Sequence, residues 1–166
     1  MQCKTSIEPV LELLHRLDGY NVPYIHHDVG TRQEFDYYLD KWCHPELGSY
    51  PVLYLGFHGS PDGIEVGDLS DPDGVRTLDQ LAAQLAGKCK GRVLLFGSCS
   101  IFPTRGQALN RFLKITNAAA ILGYTKDIEW LPAASLDVLL LGTLQEVSFT
   151  NRGMQKAARL LNQRAG

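Results

Sequence analysis

Two residues could do chemistry together. The apolar run Val52-Leu53-Tyr54-Leu55-Gly56-Phe57 leads into His58-Gly59, and Arg92 to Gly97, with Val93-Leu94-Leu95-Phe96 at its centre, leads through Ser98 into Cys99. Continuous apolar runs mark strands covered on both faces, as in parallel sheets, and in open parallel sheets ligands sit at the carboxyl ends of the strands. An imidazole and a thiol emerging at one such edge make a base and a nucleophile, since the imidazole helps the thiol become a thiolate. Gly59 leaves its backbone N–H open to a substrate oxygen, and the amide of Cys99 is the natural second donor for an oxyanion. Taken singly, a cysteine more often fills space in a core, and a histidine at a strand end is more often a hydrogen-bonded structural residue. The two together, each at a strand end of matching type, favour catalysis.

The same cysteine permits a rival chemistry. Cys99-Ser100-Ile101-Phe102-Pro103-Thr104-Arg105 has the Cys-to-Arg spacing of cysteine-dependent phosphatases, whose loop wraps a phosphate with backbone N–H groups and the arginine. The intervening residues fit poorly: Ile101 and Phe102 are bulky, no glycine lies inside the loop, and Pro103 has no N–H. This reading also leaves His58 without a role.

The elements that must position these residues follow from periodicity and caps. Val10, Leu13, Leu14 and Leu17 give a first amphipathic helix with Ser6 as its cap, ended by Gly19. Val22 to Val29 reads as a strand. Thr31-Arg32-Gln33-Glu34 is a capping box that opens a helix with Phe35, Tyr38, Leu39 and Trp42 on one stripe, closed by Pro45. Pro61-Asp62-Gly63 is a turn, and Ile64-Glu65-Val66 with its neighbours forms a short hairpin around Gly67-Asp68. Thr77-Leu78-Asp79-Gln80 is a second capping box, for a helix through about Leu85. Leu109, Phe112 and Leu113 predict another helix, Ala118 to Gly123 a strand, and Leu136 to Leu144 and Met154 to Leu161 the closing helices. Strands alternating with helices predict an α/β protein, a three-layer sandwich around a mainly parallel sheet.

Composition narrows the function classes. At 166 residues one domain, 1–166, is expected. With 16 Lys+Arg against 18 Asp+Glu, a broadly basic nucleic-acid binder is excluded and no nucleic-acid partner is expected. Leu136 to Leu144 is too short for a membrane span, and Met-Gln-Cys-Lys-Thr-Ser lacks the apolar core of a signal peptide, so a cytoplasmic protein with no membrane partner is expected. Cys3, Cys43, Cys89 and Cys99 show no disulfide framework and no Cys-x-x-Cys pair, which predicts reduced, mostly buried thiols, no metal and no cofactor.

An apolar strand ending in His-Gly, followed by a strand ending in a small residue and Cys, resembles the caspase-like cysteine peptidases: caspases, metacaspases, clostripain, separase and the bacterial CHAT proteases. The resemblance covers about residues 20 to 130. It implies a trimmed caspase-like fold with a short hairpin after the His-Gly strand, and a cysteine endopeptidase with a His58/Cys99 dyad and an oxyanion site at the Gly59 and Cys99 amides. It implies a peptide or protein substrate, an activating protein or small-molecule signal, and a place in a bacterial stress, cell-death or antiphage circuit. The sequence departs from the family in two ways. Ser98 stands where several relatives place an acid, and there are fewer long strands than the family's sheet contains. A catalytically silent caspase-like binding module is therefore a further alternative.

The pocket that reads the residue before the scissile bond falls, by the same resemblance, at Tyr124-Thr125-Lys126-Asp127, with Asp127 as its carboxylate and Trp130 lining it or simply packing. Asp62, Glu65, Asp68, Asp71 and Asp73 make residues 60 to 74 acidic; a solvated loop is the plainer reading, attraction of a basic side chain or a loose Ca²⁺ site the functional one. Arg76 and Arg105 sit singly and are expected in solvent. Cleavage after a basic residue, Arg ahead of Lys, follows from a buried carboxylate pairing with a guanidinium. His26 and His27 point to opposite faces and cannot serve one site, and His15 lies on a helix surface.

Overall fold

Strand pairing begins at Val93–Phe96, whose four residues are all buried. In the computed structural model, which describes residues 6–17, 19, 21–60, 63–67, 74–97 and 106–164, three strands form a wholly parallel sheet: β1 (Val52–Leu55), β5 (Val93–Phe96) and β6 (Ala120–Gly123), in the order β1-β5-β6. A second, antiparallel sheet joins β2 (His58–Ser60), β3 (Gly63–Glu65) and β4 (Val75–Arg76). The helices are α1 (Glu8–Arg16), α2 (Arg32–Trp42), α3 (Leu78–Gln84), α4 (Gln107–Thr116), α5 (Trp130–Leu144) and α6 (Asn151–Arg164), with a 3-10 turn at Pro45–Leu47. The protein is mixed α/β. Its contacts gather into two units, His27–Asp127 and the pair of segments Met1–His26 and Ile128–Gly166.

In the unit His27–Asp127, alternation along the strands assigns Leu53, Leu55, Leu94, Phe96 and Ile121 to one apolar cluster. Phe35, Leu39 and Trp42 of α2, Leu81 and Ala82 of α3, and Phe112 of α4 close over the same cluster. Phe96 meets Phe112 edge-on at 6.5 Å. Both capping boxes form as their sequences predict. Thr31 accepts from the Glu34 amide while Glu34 returns to the Thr31 amide, and Thr77 and Gln80 repeat the exchange. Arg92 is buried, donates to the carbonyls of Trp42 and His44, and lies 4.7 Å over the Trp42 ring, fastening the end of α2 to the start of β5.

The apolar run at 52–57 is not one strand. β1 stops at Leu55, where the Gly97 amide makes the last bond of the ladder, 3.0 Å to the Leu55 carbonyl. Past that bond the chain takes β3 as its next partner, so His58 opens the antiparallel sheet instead of ending the parallel one. The hairpin is formed by β2 and β3 and contains the His-Gly step; it is not the one expected around Gly67-Asp68, since β3 pairs on its other side with β4 at Val75–Arg76.

The expected strand at Val22–Val29, a segment whose first residues belong to the other unit, does not form; residues 21–30 pair with no strand. Residues 22–26 instead run back along α1. His15 Nδ1 lies 3.1 Å from the Val22 carbonyl, Tyr24 Oη donates to Glu12 at 2.7 Å, and the His26 ring lies 3.4 Å from Ser6 Oγ and 3.8 Å from the Glu8 carboxylate. Two extended residues advance about 6.6 Å and one helical turn about 5.4 Å, so alternate residues of the segment meet successive turns of the helix. Side-chain tethers to α1 therefore take the place of a ladder. Ser6 is not the cap: Ile7 holds that position with no side-chain capping bond, and Ser6 Oγ one residue earlier accepts from the Glu8 amide at 3.1 Å.

α5 begins earlier than its apolar run suggested, because Pro132 lies in the first turn, where no amide donor is needed. α5 packs on both α1 and α6. No helix among the described residues is long and apolar enough to cross a membrane.

Candidate active site

The parallel register sets the geometry of the edge. Leu55 stands opposite Phe96 and Phe96 opposite Gly123, so all three strands end level. From that edge the chain continues from β1 through Gly56-Phe57 to His58, from β5 through Gly97 towards Cys99, and from β6 directly to Tyr124. Ser98, Cys99 and Arg105 lie outside the described residues, as do Cys3, Asp62, Asp68, Asp71 and Asp73.

Phe57 turns inward and meets Phe35 of α2 edge-on at 5.4 Å. This anchors the residue before His58, and the next side chain along the strand points the other way. His58 is exposed. In the antiparallel ladder Gly59 pairs with Ile64 and Ile64 with Arg76, a row in which Ile64 and Arg76 are buried. The opposite row is His58, Glu65 and Val75, and Glu65 is half-buried. Glu65 is thus the direct cross-strand neighbour of His58. Counting outward from Pro61-Asp62 would have found it, since that two-residue connection pairs Ser60 with Gly63 and then His58 with Glu65.

Arg76 corrects an expectation. It is not a solvated arginine after a turn: its side chain is 10% exposed and its Nη2 donates to Asp36 of α2. Arg32 Nε lies 3.8 Å from the same carboxylate. Arg76 Nε is buried with no hydrogen-bond partner. The pair ties β4, and through the ladder β2 and β3, to α2.

Tyr124 is half-buried and Asp127 exposed. The buried carboxylate expected at Asp127 is therefore not found, because Asp127 lies in a loop beyond β6. An exposed ion pair with a substrate guanidinium is worth less than a buried one. Trp130 belongs to the other unit, at the start of α5, and is 47% exposed. A separate groove of about 320 Å³, lined by Tyr37, Asp40, Lys41, His44 and Glu46, lies at the end of α2 and contains none of the expected site residues.

The two described cysteines are free. Burial pushes the Cys89 thiol up to about 12, with Cys43 close enough to add to the effect, and burial also raises Cys43. Both are held as thiols, so neither suits a nucleophile. No group of three or more His, Cys, Asp or Glu side chains among the described residues could hold a metal ion.

A family model, described as a family of unknown function (DUF6642), matches residues 1–158. No curated protein and no solved structure matches the chain.

Proposed function

The chain belongs to the DUF6642 family, whose function is unknown, and from its own residues we propose that it is a cysteine endopeptidase in which Cys99 attacks and His58 moves the proton. One observation carries the reading: Leu55, Phe96 and Gly123 stand level in a parallel register, and the segments bearing His58, Cys99 and Tyr124 leave that one edge from adjacent strands. The inward anchor at Phe57 and the exposure of His58 support a base available to a ligand. The trimmed caspase-like three-layer fold and a cytoplasmic setting, where thiols stay reduced, are parts of the same proposal.

The chemistry follows from the residue types. His58 takes the proton from the Cys99 thiol, and the thiolate adds to the carbonyl carbon of the scissile peptide. The oxyanion is held by the amides of Gly59 and Cys99. The C–N bond breaks as the protonated imidazole gives its proton to the leaving amine. Water then adds to the thioester with His58 as base, releasing the acid and restoring the thiol. Cleavage after a basic residue, Arg ahead of Lys, is part of the same proposal, with Asp127 in the loop after β6 as the carboxylate and Tyr124 as a further contact.

A peptide-like, cysteine-directed probe tests the proposal. Labelling should fall on Cys99 and be lost in His58→Ala. Cys99→Ala should remain folded by circular dichroism while losing turnover of a peptide library that favours Arg. Hydrolysis of an aryl phosphate that disappears in Arg105→Ala would overturn the reading in favour of a phosphatase. Unreactive Cys99 with no turnover would leave a silent binding module.

A further inference from the structure

We infer that Ser6, His26 and Glu8 form a second reactive centre, a hydroxyl, an imidazole and a carboxylate in series, which takes acyl groups from carboxylic esters. All three lie in the unit that contains α1, and none belongs to the peptidase proposal. Ser6 is half-buried just before α1, Glu8 is the first residue of that helix, and His26 lies on the extended segment that runs back along it. The His15–Val22 and Tyr24–Glu12 bonds set the path of the segment. Two residues beyond Tyr24, and one turn before Glu12, His26 comes beside Glu8. Its ring divides its nitrogens between two partners: Nε2 lies 3.4 Å from Ser6 Oγ and Nδ1 lies 3.8 Å from the Glu8 carboxylate. The Glu8 amide donates to Ser6 Oγ at 3.1 Å. That bond occupies an acceptor site of the hydroxyl and leaves its proton for Nε2, which puts the ring proton on Nδ1, towards the carboxylate. The His26 side chain is 18% exposed and that of Glu8 55%, so the ring is sheltered and still open to a solute.

This is the order in which serine hydrolases arrange nucleophile, base and orienting acid. His26 takes the hydroxyl proton as Ser6 Oγ adds to the ester carbonyl carbon. Glu8 is a positioning residue: its charge orients the Nδ1–H edge of the ring and stabilises the imidazolium. The oxyanion meets the amide of Ile7, the residue after the nucleophile, which makes no hydrogen bond among the described residues and stands at the positive end of the α1 dipole. The ester C–O bond then breaks, His26 returns the proton to the leaving alkoxide, and the acyl group stays on Ser6 Oγ. Water adds to the acyl carbonyl with His26 as base, releasing the acid and restoring the hydroxyl. The leaving group follows from the distances. With the carboxylate 3.8 Å from Nδ1, beyond hydrogen-bond reach, the imidazolium is a loosely held acid. It suits an alcohol or phenol, which departs more readily than an amine, and so esters and not peptides.

Treating the full chain with a fluorophosphonate, a serine-directed probe, and locating the adduct by peptide mass spectrometry tests this. The adduct should fall on Ser6. His26→Ala should slow its formation at least about a hundredfold, the lower end of what a general base supplies. Glu8→Gln should lower kcat for the Ser6-dependent turnover of p-nitrophenyl acetate severalfold at unchanged KM, and should have no further effect in the His26→Ala background. Tyr24→Phe separates chemistry from docking of the segment. It removes the neighbouring bond to Glu12 and should label at the wild-type rate. A loss in Tyr24→Phe equal to that in His26→Ala would overturn the inference and leave the contacts as tethers. No adduct on Ser6 in the wild type, or an unchanged rate in His26→Ala, would overturn it as well.

Discussion

Tyr54 lies across Gly97. A Cβ built on Gly97 would come 2.2 Å from Tyr54 Oη and 2.5 and 2.6 Å from the ring carbons behind it. The edge of a ring, and not a single flexible tip, occupies the space a side chain would need. Gly97 also donates the bond that ends the β1–β5 ladder. It is the last described residue before the segment that carries Cys99.

Gly97→Ala should therefore destabilise the protein by about 1–3 kcal/mol, the usual cost of overpacking, and should lower the reactivity of Cys99. Urea denaturation of Gly97→Ala, Tyr54→Ala and the double variant measures it. The double variant should lose less than the sum of the two single losses. Strict additivity would mean that the ring swings aside freely.

The described thiols should be slow. Cys89 stays protonated far above neutral pH because burial disfavours its thiolate, and Cys43 is shifted the same way. At pH 7 limiting iodoacetamide should modify Cys99 well before Cys89 or Cys43 in the folded protein. Mass spectrometry at short times decides it, and early modification of Cys89 would refute the assignment.

The Arg76–Asp36 contact should cost more when half removed than when replaced. Asp36→Ala leaves a guanidinium that is 10% exposed without its carboxylate, which should cost about 2–3 kcal/mol, below the range for fully buried pairs because Asp36 keeps a third of its exposure. Arg76→Met removes the charge together with the unpartnered Nε and should cost less. Chemical denaturation gives the order, and a greater loss in Arg76→Met would contradict it.

The capping box of α2 should make stability sensitive to acid. Glu34 is held below the usual carboxylate range first by the Gly30 amide, then by Thr31, its Oε2 accepting at 3.0–3.1 Å. A carboxylate lowered on folding adds stability above its unfolded value, and that stability is lost as pH falls through the folded value. Glu34→Gln keeps the box, as Gln80 does at α3, but carries no charge. The advantage of wild type over Glu34→Gln should be present at pH 6 and shrink as pH falls below about 4. Thermal melts across that range check it; a constant difference would remove the assigned cause.

Local chemistry accounts for what the sequence determined by itself. The two capping boxes close within four residues, so Thr31 and Thr77 mark their helix starts in any context that admits a helix. The runs at Val52–Leu55 and Val93–Phe96 are apolar throughout, and a strand of that composition needs cover on both faces, which predicts the parallel sheet. His58 and Cys99 were legible as candidates because each follows such a run.

What needed the tertiary structure is everything that depends on a distant partner. Val22 to Val29 has a strand's composition, yet α1 offers tethers at helical spacing and the segment takes those. Arg76 looks like a surface arginine until Asp36, forty residues earlier, is brought against it. His58 leaves the parallel sheet because the last ladder bond is used at Leu55, and only then does Glu65 become its neighbour. A sequence states which bonds a residue can make. Which partner it meets is decided by the competition among surfaces that folding brings within reach.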